Sequence, residues 1–310
     1  MPQIITVTFS PCIDKSTTIP IVLPDKKLRC TSLTLEPGGG GINVARAIHR
    51  LGGEATAIFP SGGFTGKFFN HLLEKEKVPF ISVEMDHETR ESITILELST
   101  NKQYRFGLPD NGLSEKEWGQ CLNAVEECKD VEFIVASGSL PPGVPLDIYA
   151  RLSKIAKAKN ARLCVDTSGE ALKHAVNEGV YLIKPNLGEL SALLGMENIK
   201  EENVEKLAKE IILNKGCEII VVSMAGDGAI LVTEEVTYKA KAPDMPHLST
   251  VGAGDSMMAG IVYSISRGWN LQQALRYGVS CGTAATMNPG TELCHKEDAD
   301  LLYSRITDSE

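Results

Sequence analysis

Short apolar runs rich in β-branched residues alternate with segments of helical periodicity along most of the chain. The apolar runs predict strands, and the segments in which apolar residues recur every three or four positions predict helices. The predicted strands are residues 4–8, 55–59, 133–136, 162–165, 180–183 and 218–223, and the predicted helices include residues 42–51, 67–75, 115–128, 148–158 and 204–213. This alternation indicates an α/β fold with a mostly parallel central sheet that helices cover on both faces.

Two stretches interrupt the alternation. Residues 16–36 carry Thr, Ile, Val and Leu without a helical period, and residues 91–98 and 103–108 flank a polar turn at 99–102. Both stretches predict antiparallel strands inserted into the α/β body, in the regions 16–36 and 88–108. A small all-β insert cannot bury both of its faces, so we expect it to cover an active site, a partner subunit, or both. No repeat or linker divides residues 1–310, so we expect a single domain with this insert as a lid.

The composition narrows the class of protein. The 310 residues are 43% hydrophobic and 23% charged, as in ordinary globular proteins, and the net charge of −9 disfavours binding to a nucleic-acid backbone. The eight cysteines include no Cys-x-x-Cys pair, which argues against a zinc knuckle or a thioredoxin-like motif. A secretory signal and an apolar run of roughly 18 residues are both absent from the sequence. We therefore expect a cytoplasmic protein with reduced thiols and no nucleic-acid or membrane partner.

The first candidate site is the run Glu36-Pro-Gly-Gly-Gly-Gly-Ile-Asn43, which precedes the predicted helix 42–51. Four glycines allow positive φ angles and let backbone amides approach a ligand closely. The following helix N-terminus adds unpaired N–H groups, and Asn43 offers both a donor and an acceptor to a sugar hydroxyl. A flexible connector would explain the glycines as well, but its entropic cost favours the ligand-binding interpretation.

The second candidate site is Thr250-Val-Gly-Ala-Gly-Asp255, which precedes a helix predicted over residues 256–266. The amides of Gly252, Ala253 and Gly254 can form an anion hole for a transferring phosphoryl group. Asp255 beside them can accept the proton of an attacking hydroxyl. From these residues alone, an Asp that serves as the helix N-cap is an equally good explanation.

Two further segments could complete a nucleotide site. Lys184 follows the strand 180–183, and Asn186 and Glu189 are spaced to share one face of the next helix, where they could hold Mg²⁺ through its water shell. A capped, solvated helix start explains the same spacing. Ser223 to Gly228 is a glycine-bearing turn between strands, which either contacts a nucleotide or is only a turn.

The order of these motifs resembles that of the ribokinase-like (pfkB) sugar kinases over nearly the whole chain. Gly39-Gly-Gly-Ile-Asn-Val-Ala45 and Ser249-Thr-Val-Gly-Ala-Gly-Asp255 are similar to the two signatures of the family. The resemblance implies a three-layer α/β/α sandwich with a small β-sheet lid, and an ATP-dependent kinase. Segments 27–30, 36–48, 103–106, 137–143 and 168–172 most resemble the 6-phosphofructokinase branch, which implies conversion of fructose 6-phosphate to fructose 1,6-bisphosphate. Tagatose-6-phosphate kinases and 1-phosphofructokinases are similar, although they more often have Gly-Gly-Lys-Gly at 38–41.

The resemblance also implies roles for individual residues. Asp255 would be the base, with Gly252, Ala253 and Gly254 as the anion hole. The sugar hydroxyls would be bound by Asp14, Gly39, Gly40 and Asn43, and the substrate phosphate by Lys27, Arg90, Arg105 and Ser139. ATP would face Lys184, Asn186, Ser223, Gly226 and Gly228, with Glu189 organising Mg²⁺. A monovalent cation, K⁺, would lie near Ser249, Val251, Ala285, Asn288 and Gly290, although Glu292 stands where a basic residue is expected.

The resemblance further implies a homodimer formed through the lid strands, whose exposed edges favour pairing. Two other functions remain open. A kinase of an unphosphorylated sugar or nucleoside would have no use for the basic side chains Lys27, Arg90 and Arg105. A non-catalytic sugar-phosphate sensor would be expected to lack the base or the anion hole, and this sequence has both.

Overall fold

The computed structural model describes residues 3–214 and 216–308, which form thirteen strands and ten α-helices. The strands are β1 (Gln3–Val7), β2 (Cys12–Ile19), β3 (Thr34–Gly38), β4 (Ala55–Ser61), β5 (Phe80–Glu84), β6 (Arg90–Glu97), β7 (Lys102–Gly107), β8 (Val131–Ser137), β9 (Arg162–Asp166), β10 (Val180–Ile183), β11 (Cys217–Ser223), β12 (Ala229–Val232) and β13 (Thr237–Ala240). The helices are α1 (Gly40–Arg50), α2 (Gly63–Glu76), α3 (Glu115–Glu127), α4 (Ile148–Ala158), α5 (Gly169–Glu178), α6 (Leu187–Leu194), α7 (Glu201–Leu213), α8 (Ala253–Ser266), α9 (Leu271–Thr286) and α10 (Lys296–Asp308).

The main sheet has nine strands in the described part of the chain, in the order β13-β12-β11-β10-β9-β8-β1-β4-β5. Pairing is parallel from β11 to β5, and β12 and β13 add an antiparallel edge. The sheet has a hydrophobic core on each face, and the side chains of β8 alternate between them. Phe133 and Val135 pack in one core, and Ile134 and Ala136 pack in the other. The first core takes the apolar faces of α1, α2 and α8–α10, and the second takes those of α3–α7. The predicted three-layer α/β fold is therefore confirmed.

Each strand and helix predicted above is present, with bounds that differ by a few residues. The largest shifts are at helix starts, since α2 begins at Gly63, α7 at Glu201 and α8 at Ala253. Glycines in the first turns of α2 and α8 interrupt the apolar period, so the pattern alone could not place these helix starts.

A second sheet of four strands, in the order β3-β2-β6-β7, lies in the two interrupting stretches. The β2–β3 and β6–β7 pairs are antiparallel as predicted, but β2 pairs with β6 in parallel, so that part of the prediction is wrong. Strand structure throughout 16–36 is also wrong, because residues 20–33 belong to neither strand. Pro20 and Pro24 lack the N–H that a strand pairing needs.

The two faces of the second sheet differ in chemistry. On β7, Gln103 and Arg105 reach toward Leu248 and Thr250 of the main body. The alternating residues Tyr104 and Phe106 therefore point to the opposite side, where they pair across strands with Ile95 and Ile93. We call these four side chains, Ile93, Ile95, Tyr104 and Phe106, the outer apolar face.

Across residues 3–214 and 216–308, we find no helix with the length and apolar character that crossing a bilayer requires.

Candidate active site

Several of the predicted site residues meet at the carboxyl ends of the parallel strands, where ligands bind in open α/β sheets. The starts of α1 and α8 come together there. Asn43 on α1 donates a hydrogen bond from Nδ2 to Oδ2 of Asp255 on α8, at 3.0 Å, across 212 positions of sequence. Ser137 at the end of β8 directs its Oγ to Asp255 Oδ1 at 3.4 Å.

The glycine run between β3 and α1 is packed tightly against the site. Gly39 has a φ of +118°, which a side chain would strain. A Cβ atom at Gly38 would overlap the carboxylate of Asp14, and one at Gly40 would overlap Ser137. The amide of Ile42 is held by Thr8 Oγ1 at 3.0 Å. The run is thus an ordered, closely packed segment, which does not fit a flexible connector.

Asp255 lies in the first turn of α8 and does not cap it. The N-cap is Gly252, whose φ of +76° is in the left-handed region, and it has no side chain to cap the helix. A Cβ there would also lie 2.8 Å from Leu293 Cδ2. The helix-cap explanation of Asp255 is therefore wrong, and its carboxylate is directed to Asn43 and Ser137 instead. The amides of the first turn remain available to an anion.

The surroundings of Asp255 raise the pKa of its carboxyl group from 3.8 to about 7. Loss of water contact is the main cause, and the negative charge of Asp166 adds to it. Hydrogen bonds from Asn43 and Ser137 and the charge of Lys184 act in the opposite direction. A carboxylate with a pKa near neutrality is well matched to accepting a proton at pH 7.

A buried ion pair stands next to this carboxylate. Lys184 Nζ lies 3.0 Å from Asp166 Oδ2, and the lysine side chain is only 5% exposed. Burial lowers the pKa of Lys184, but the neighbouring carboxylates, Asp166 above all, raise it further, so the ammonium stays charged. Its Nζ would lie 3.3 Å from a Cβ on Gly254, so the positive charge borders the first turn of α8.

Sequence reasoning did not assign Asp166 or Ser137 to the site. Asp166 ends β9 and Ser137 ends β8, and these strands are neighbours in the sheet. A polar residue directly after a buried strand was the available signal, since such strand ends converge in a parallel sheet.

A cavity of about 650 Å³ adjoins the start of α8. Four of the five residues predicted to face ATP line it, namely Asn186, Ser223, Gly226 and Gly228. Thr250, Ala253 and Gly254 also line it, so two of the three residues predicted to form the anion hole border this cavity. The fifth residue, Lys184, is not among the lining residues and lies next to Gly254.

Asn186 and Glu189 form a capping box at the start of α6. Glu189 N donates to Asn186 Oδ1, and Asn186 N donates to Glu189 Oε2, both at 2.9 Å. This is the capped helix start that the sequence analysis gave as the alternative explanation of the Asn186–Glu189 spacing. The charge of Glu189 also raises the pKa of Lys184. A role for Glu189 toward Mg²⁺ stays a prediction, and in the described residues no group of three His, Cys, Asp or Glu could hold a metal ion.

The residues predicted to bind the substrate's phosphate are only partly brought together. Arg90 donates from Nε to Ser10 Oγ at 2.8 Å and lies 3.5 Å from Asp110 Oδ2. Arg105 Nη2 reaches Thr250 Oγ1 at 3.4 Å. Asp14, expected to bind sugar hydroxyls, accepts hydrogen bonds from Ser92 and Cys12.

Two members of the phosphate set are less well placed. Ser139 lies exposed in the loop after β8. Lys27 lies in the exposed segment 20–33, and within the described residues no hydrogen bond or ion pair joins it to the site.

The segments predicted to hold a monovalent cation are adjacent. Ser249 Oγ donates to the carbonyl of Gly290 at 2.6 Å and accepts from Val251 N at 3.2 Å. Asn288 N donates to the carbonyl of Ala285 at 3.1 Å. Hydroxyl and carbonyl oxygens are the donors that suit K⁺, so this donor set fits the ion. Glu292 pairs with other residues instead: its Oε1 lies 2.7 Å from His295 Nε2 and 4.0 Å from Arg50 Nη1.

Comparison with known proteins identifies the family. The model of the pfkB family of carbohydrate kinases matches residues 7–298. ATP-dependent 6-phosphofructokinase isozyme 2 of Escherichia coli K12 is 42% identical over 308 residues, which cover 99% of this chain and 100% of the relative. The crystal structure of Escherichia coli phosphofructokinase-2 in complex with potassium has a TM-score of 0.95 at 42% identity, with 99% and 100% of the two chains covered. The complex of that enzyme with fructose-6-phosphate has a TM-score of 0.93 at 40% identity and the same coverage.

The three-layer α/β/α fold and these relatives together define the class of protein as a sugar kinase. The chain belongs to the pfkB family of carbohydrate kinases. The family resemblance inferred from the two glycine-rich motifs is confirmed.

Proposed function

We propose that the protein transfers the γ-phosphoryl group of ATP to fructose 6-phosphate and forms fructose 1,6-bisphosphate. The observation that carries the proposal is the Asp255 carboxylate, held by Asn43 and Ser137 at the start of α8 with a pKa of about 7. The 42% identity to an ATP-dependent 6-phosphofructokinase over the whole length supports the choice of sugar phosphate.

In this proposal Asp255 accepts the proton of the attacking sugar hydroxyl. Phosphoryl transfer has a loose transition state, so proton removal is late and a carboxylate is a sufficient base. The free amides at the start of α8 stabilise the charge that develops on the transferring group. Lys184, kept charged by Asp166, adds a positive charge next to those amides.

Two cations complete the proposal. Glu189, in its capping box at the edge of the nucleotide cavity, would contact Mg²⁺ through water. Mg²⁺ supplies neutralisation of the nucleotide phosphates. Ser249, Gly290 and the neighbouring carbonyl groups would hold K⁺, and the potassium complex of the similar Escherichia coli enzyme supports this choice.

The second sheet is proposed as the lid of a single kinase domain. Its inner face carries Asp14, Arg90 and Arg105, and Arg105 already reaches Thr250 beside the anion hole. Two arginines on one cover can hold a sugar phosphate through charge-assisted hydrogen bonds. Closure of this cover would also exclude water from the transfer step.

A homodimer and a cytoplasmic location are also proposed. The outer apolar face leaves Phe106 50% exposed on a strand at the edge of the second sheet, as expected for a surface that a second copy covers. The cysteines are all free, as expected in a reducing compartment.

The test measures ADP release with fructose 6-phosphate, tagatose 6-phosphate, fructose 1-phosphate and ribose as acceptors. We expect the highest kcat/KM for fructose 6-phosphate. Asp255→Asn should lower kcat by roughly 10²- to 10⁴-fold and leave ATP affinity nearly unchanged, because a general base is lost without a change in the nucleotide cavity. Asp298→Asn, in the first turn of α10, is the matched control and should leave kcat unchanged.

Each outcome has one meaning. Near-normal turnover by Asp255→Asn would refute its role as the base. A higher kcat/KM for one of the other two ketohexose phosphates would keep the mechanism and change the substrate. A preference for ribose would contradict the role given to Arg90 and Arg105.

A further inference from the structure

An arginine on α1 is completely enclosed behind the site. Arg46 is 1% exposed, and all three nitrogens of its guanidinium group donate hydrogen bonds. Nε and Nη2 donate to the two oxygens of Glu76 at 2.7 and 2.6 Å, and Nη2 also donates to Glu36 Oε1 at 3.0 Å. Nη1 donates to the carbonyl of Pro37 at 2.8 Å and lies 3.5 Å from Asn43 Oδ1. Such a charge is stable in the interior only because its partners satisfy it.

The contact with Asn43 sets the orientation of a carboxamide. Asn43 precedes Arg46 by one helical turn, so the two side chains share a face of α1. Asn43 Oδ1 points to the guanidinium, and Nδ2 points to Asp255 at 3.0 Å. The reverse orientation would place the NH₂ group against the cation and the oxygen against the carboxylate. Both neighbours therefore favour the same orientation of the amide.

This orientation affects the proton acceptor directly. The hydrogen bond from Asn43 is the first of the influences that lower the pKa of Asp255 against the effect of burial. Asn43 lies between the two charged groups, 3.5 Å from Arg46 Nη1 and 3.0 Å from Asp255 Oδ2. It is therefore the direct link through which Arg46 can act on the ionisation of Asp255.

We propose that Arg46 is a positioning residue for phosphoryl transfer: it holds the Asn43 carboxamide so that Nδ2 always faces Asp255. The proposal rests on the proposed function of Asp255 as the base. Without the guanidinium, only Asp255 favours this orientation, so the Asn43 amide turns more readily and its hydrogen bond to the ionised carboxylate is weakened.

The test is the pH dependence of kcat/KM for Arg46→Met, measured with the full-length protein. We expect the midpoint of the acid limb to move up by about one pH unit, as for the loss of one hydrogen bond to a charged group. Activity should recover toward the parent value above the shifted midpoint. A residue that only supported the fold would lower kcat/KM by the same factor at every pH, and that result would overturn the proposal.

Three further variants make the test specific. Glu76→Gln removes the negative charge of the Arg46 partner that lies farther from the site. It should leave the midpoint of the acid limb of the kcat/KM profile unchanged. Arg46→Lys keeps a charge in the same space, and we expect an acid limb between those of the parent and Arg46→Met. This variant decides the question if Arg46→Met does not fold, and an unchanged limb in it would overturn the proposal.

The third variant is Asn43→Ala. Because Arg46 acts through Asn43, Arg46→Met should produce no further shift of the limb in the Asn43→Ala background. An additive shift would show that Arg46 acts by another route. The Asp255→Asn variant distinguishes failure of the proposed function from failure of the role of Arg46. If Asp255→Asn keeps normal turnover, Asp255 is not the base. If Asp255→Asn is inactive and the acid limb of the pH profile is unchanged in Arg46→Met, only the role of Arg46 is refuted.

Discussion

The Asp255 carboxylate is held between opposing influences. Loss of water and the nearby Asp166 favour the protonated form, while Asn43, Lys184 and Ser137 favour the ionised form. The result is a pKa of about 7, so both the protonated and the ionised form of the carboxyl group are populated in neutral solution. In the proposed mechanism, small changes in any of these neighbours therefore change the fraction of protein with an ionised base.

The first consequence is a pH dependence of activity. Below a pH of about 7, kcat/KM for the sugar phosphate should fall tenfold for each pH unit, because Asp255 in the free enzyme must be ionised to accept a proton. Initial rates across pH 5–9 measure this. A sugar phosphate itself titrates near about 6, so a limb at that pH would assign the titration to the substrate and contradict the prediction.

Ionisation of Asp255 is expected to increase activity but to lower the stability of the folded protein. Between pH 3.8 and about 7 the folded protein retains a proton on Asp255 that the unfolded chain has released. The contribution of Asp255 to the free energy of unfolding is thus greatest below pH 3.8 and is lost as the pH rises through the folded pKa. Urea unfolding of the parent and of Asp255→Asn at pH 5 and pH 8 separates this contribution from those of other groups.

Single residues were predictable where a local motif carried them. Asp255 and Asn43 belong to glycine-rich runs at helix starts, so their chemistry was visible without coordinates. Asp166 and Ser137 have no such motif, and their importance arises only because β8 and β9 end side by side next to α8. The enclosed Arg46 was equally invisible, since its charge would ordinarily indicate an exposed position on a helix.

Among the helices, the α8–α9 contact determines how firmly Asp255 is held. Glycines let the two helices approach closely: a Cβ on Gly260 of α8 would lie 2.7 Å from Cys281 Sγ and 3.0 Å from Gly278 Cα. Both partners belong to α9. The helix that carries Asp255 is thus packed closely against α9 at Gly260.

We expect Gly260→Ala to lower the free energy of unfolding by about 1–3 kcal/mol, because the added methyl group has no space. Gly119→Ala on α3 is the matched control, since nothing lies within 4 Å of its Cβ position. There the same change should raise stability by about 0.5–1 kcal/mol through helix propensity. Urea unfolding of both variants measures the difference, and equal effects would contradict the described packing.

Helices and strands were predictable to within a few residues because apolar periodicity follows burial. The pairing of strands was not. The parallel pair β2–β6 joins segments separated in the chain by β3, α1, β4, α2 and β5, and no local feature of either strand selects its direction. Residues 20–33 carry strand-forming residues, but their prolines and exposure leave them outside the sheet.

For the molecule as a whole, the second sheet has two faces with different partners. Arg105 on the inner face meets the start of α8, whereas Phe106 on the outer face meets solvent in the monomer. The α/β body was predictable from the chain's alternation of strands and helices. The proposed assembly of two copies rests on which apolar side chains remain uncovered, and those side chains became visible only in the structure.

Phe106→Glu should convert a homodimer into monomers, because a buried unpaired carboxylate would cost the interface at least about 2 kcal/mol. Light scattering coupled to size exclusion measures the mass. Phe64→Glu on α2 is the control: Phe64 is 84% exposed but lies outside the outer apolar face, so the mass should not change. Dissociation by Phe64→Glu alone would place the interface elsewhere.

The order of strands in the second sheet also limits how that sheet can move. The chain passes between the two sheets four times: from β1 to β2, from β3 to α1, from β5 to β6 and from β7 to α3. The passage from β3 to α1 is a single residue, Gly39. Because a sheet attached at four points has little freedom to swing away as one piece, we expect the proposed closure to be a tilt. Since Gly39 alone joins β3 to α1, we also expect that tilt to shift α1 and the Asn43 side chain with it.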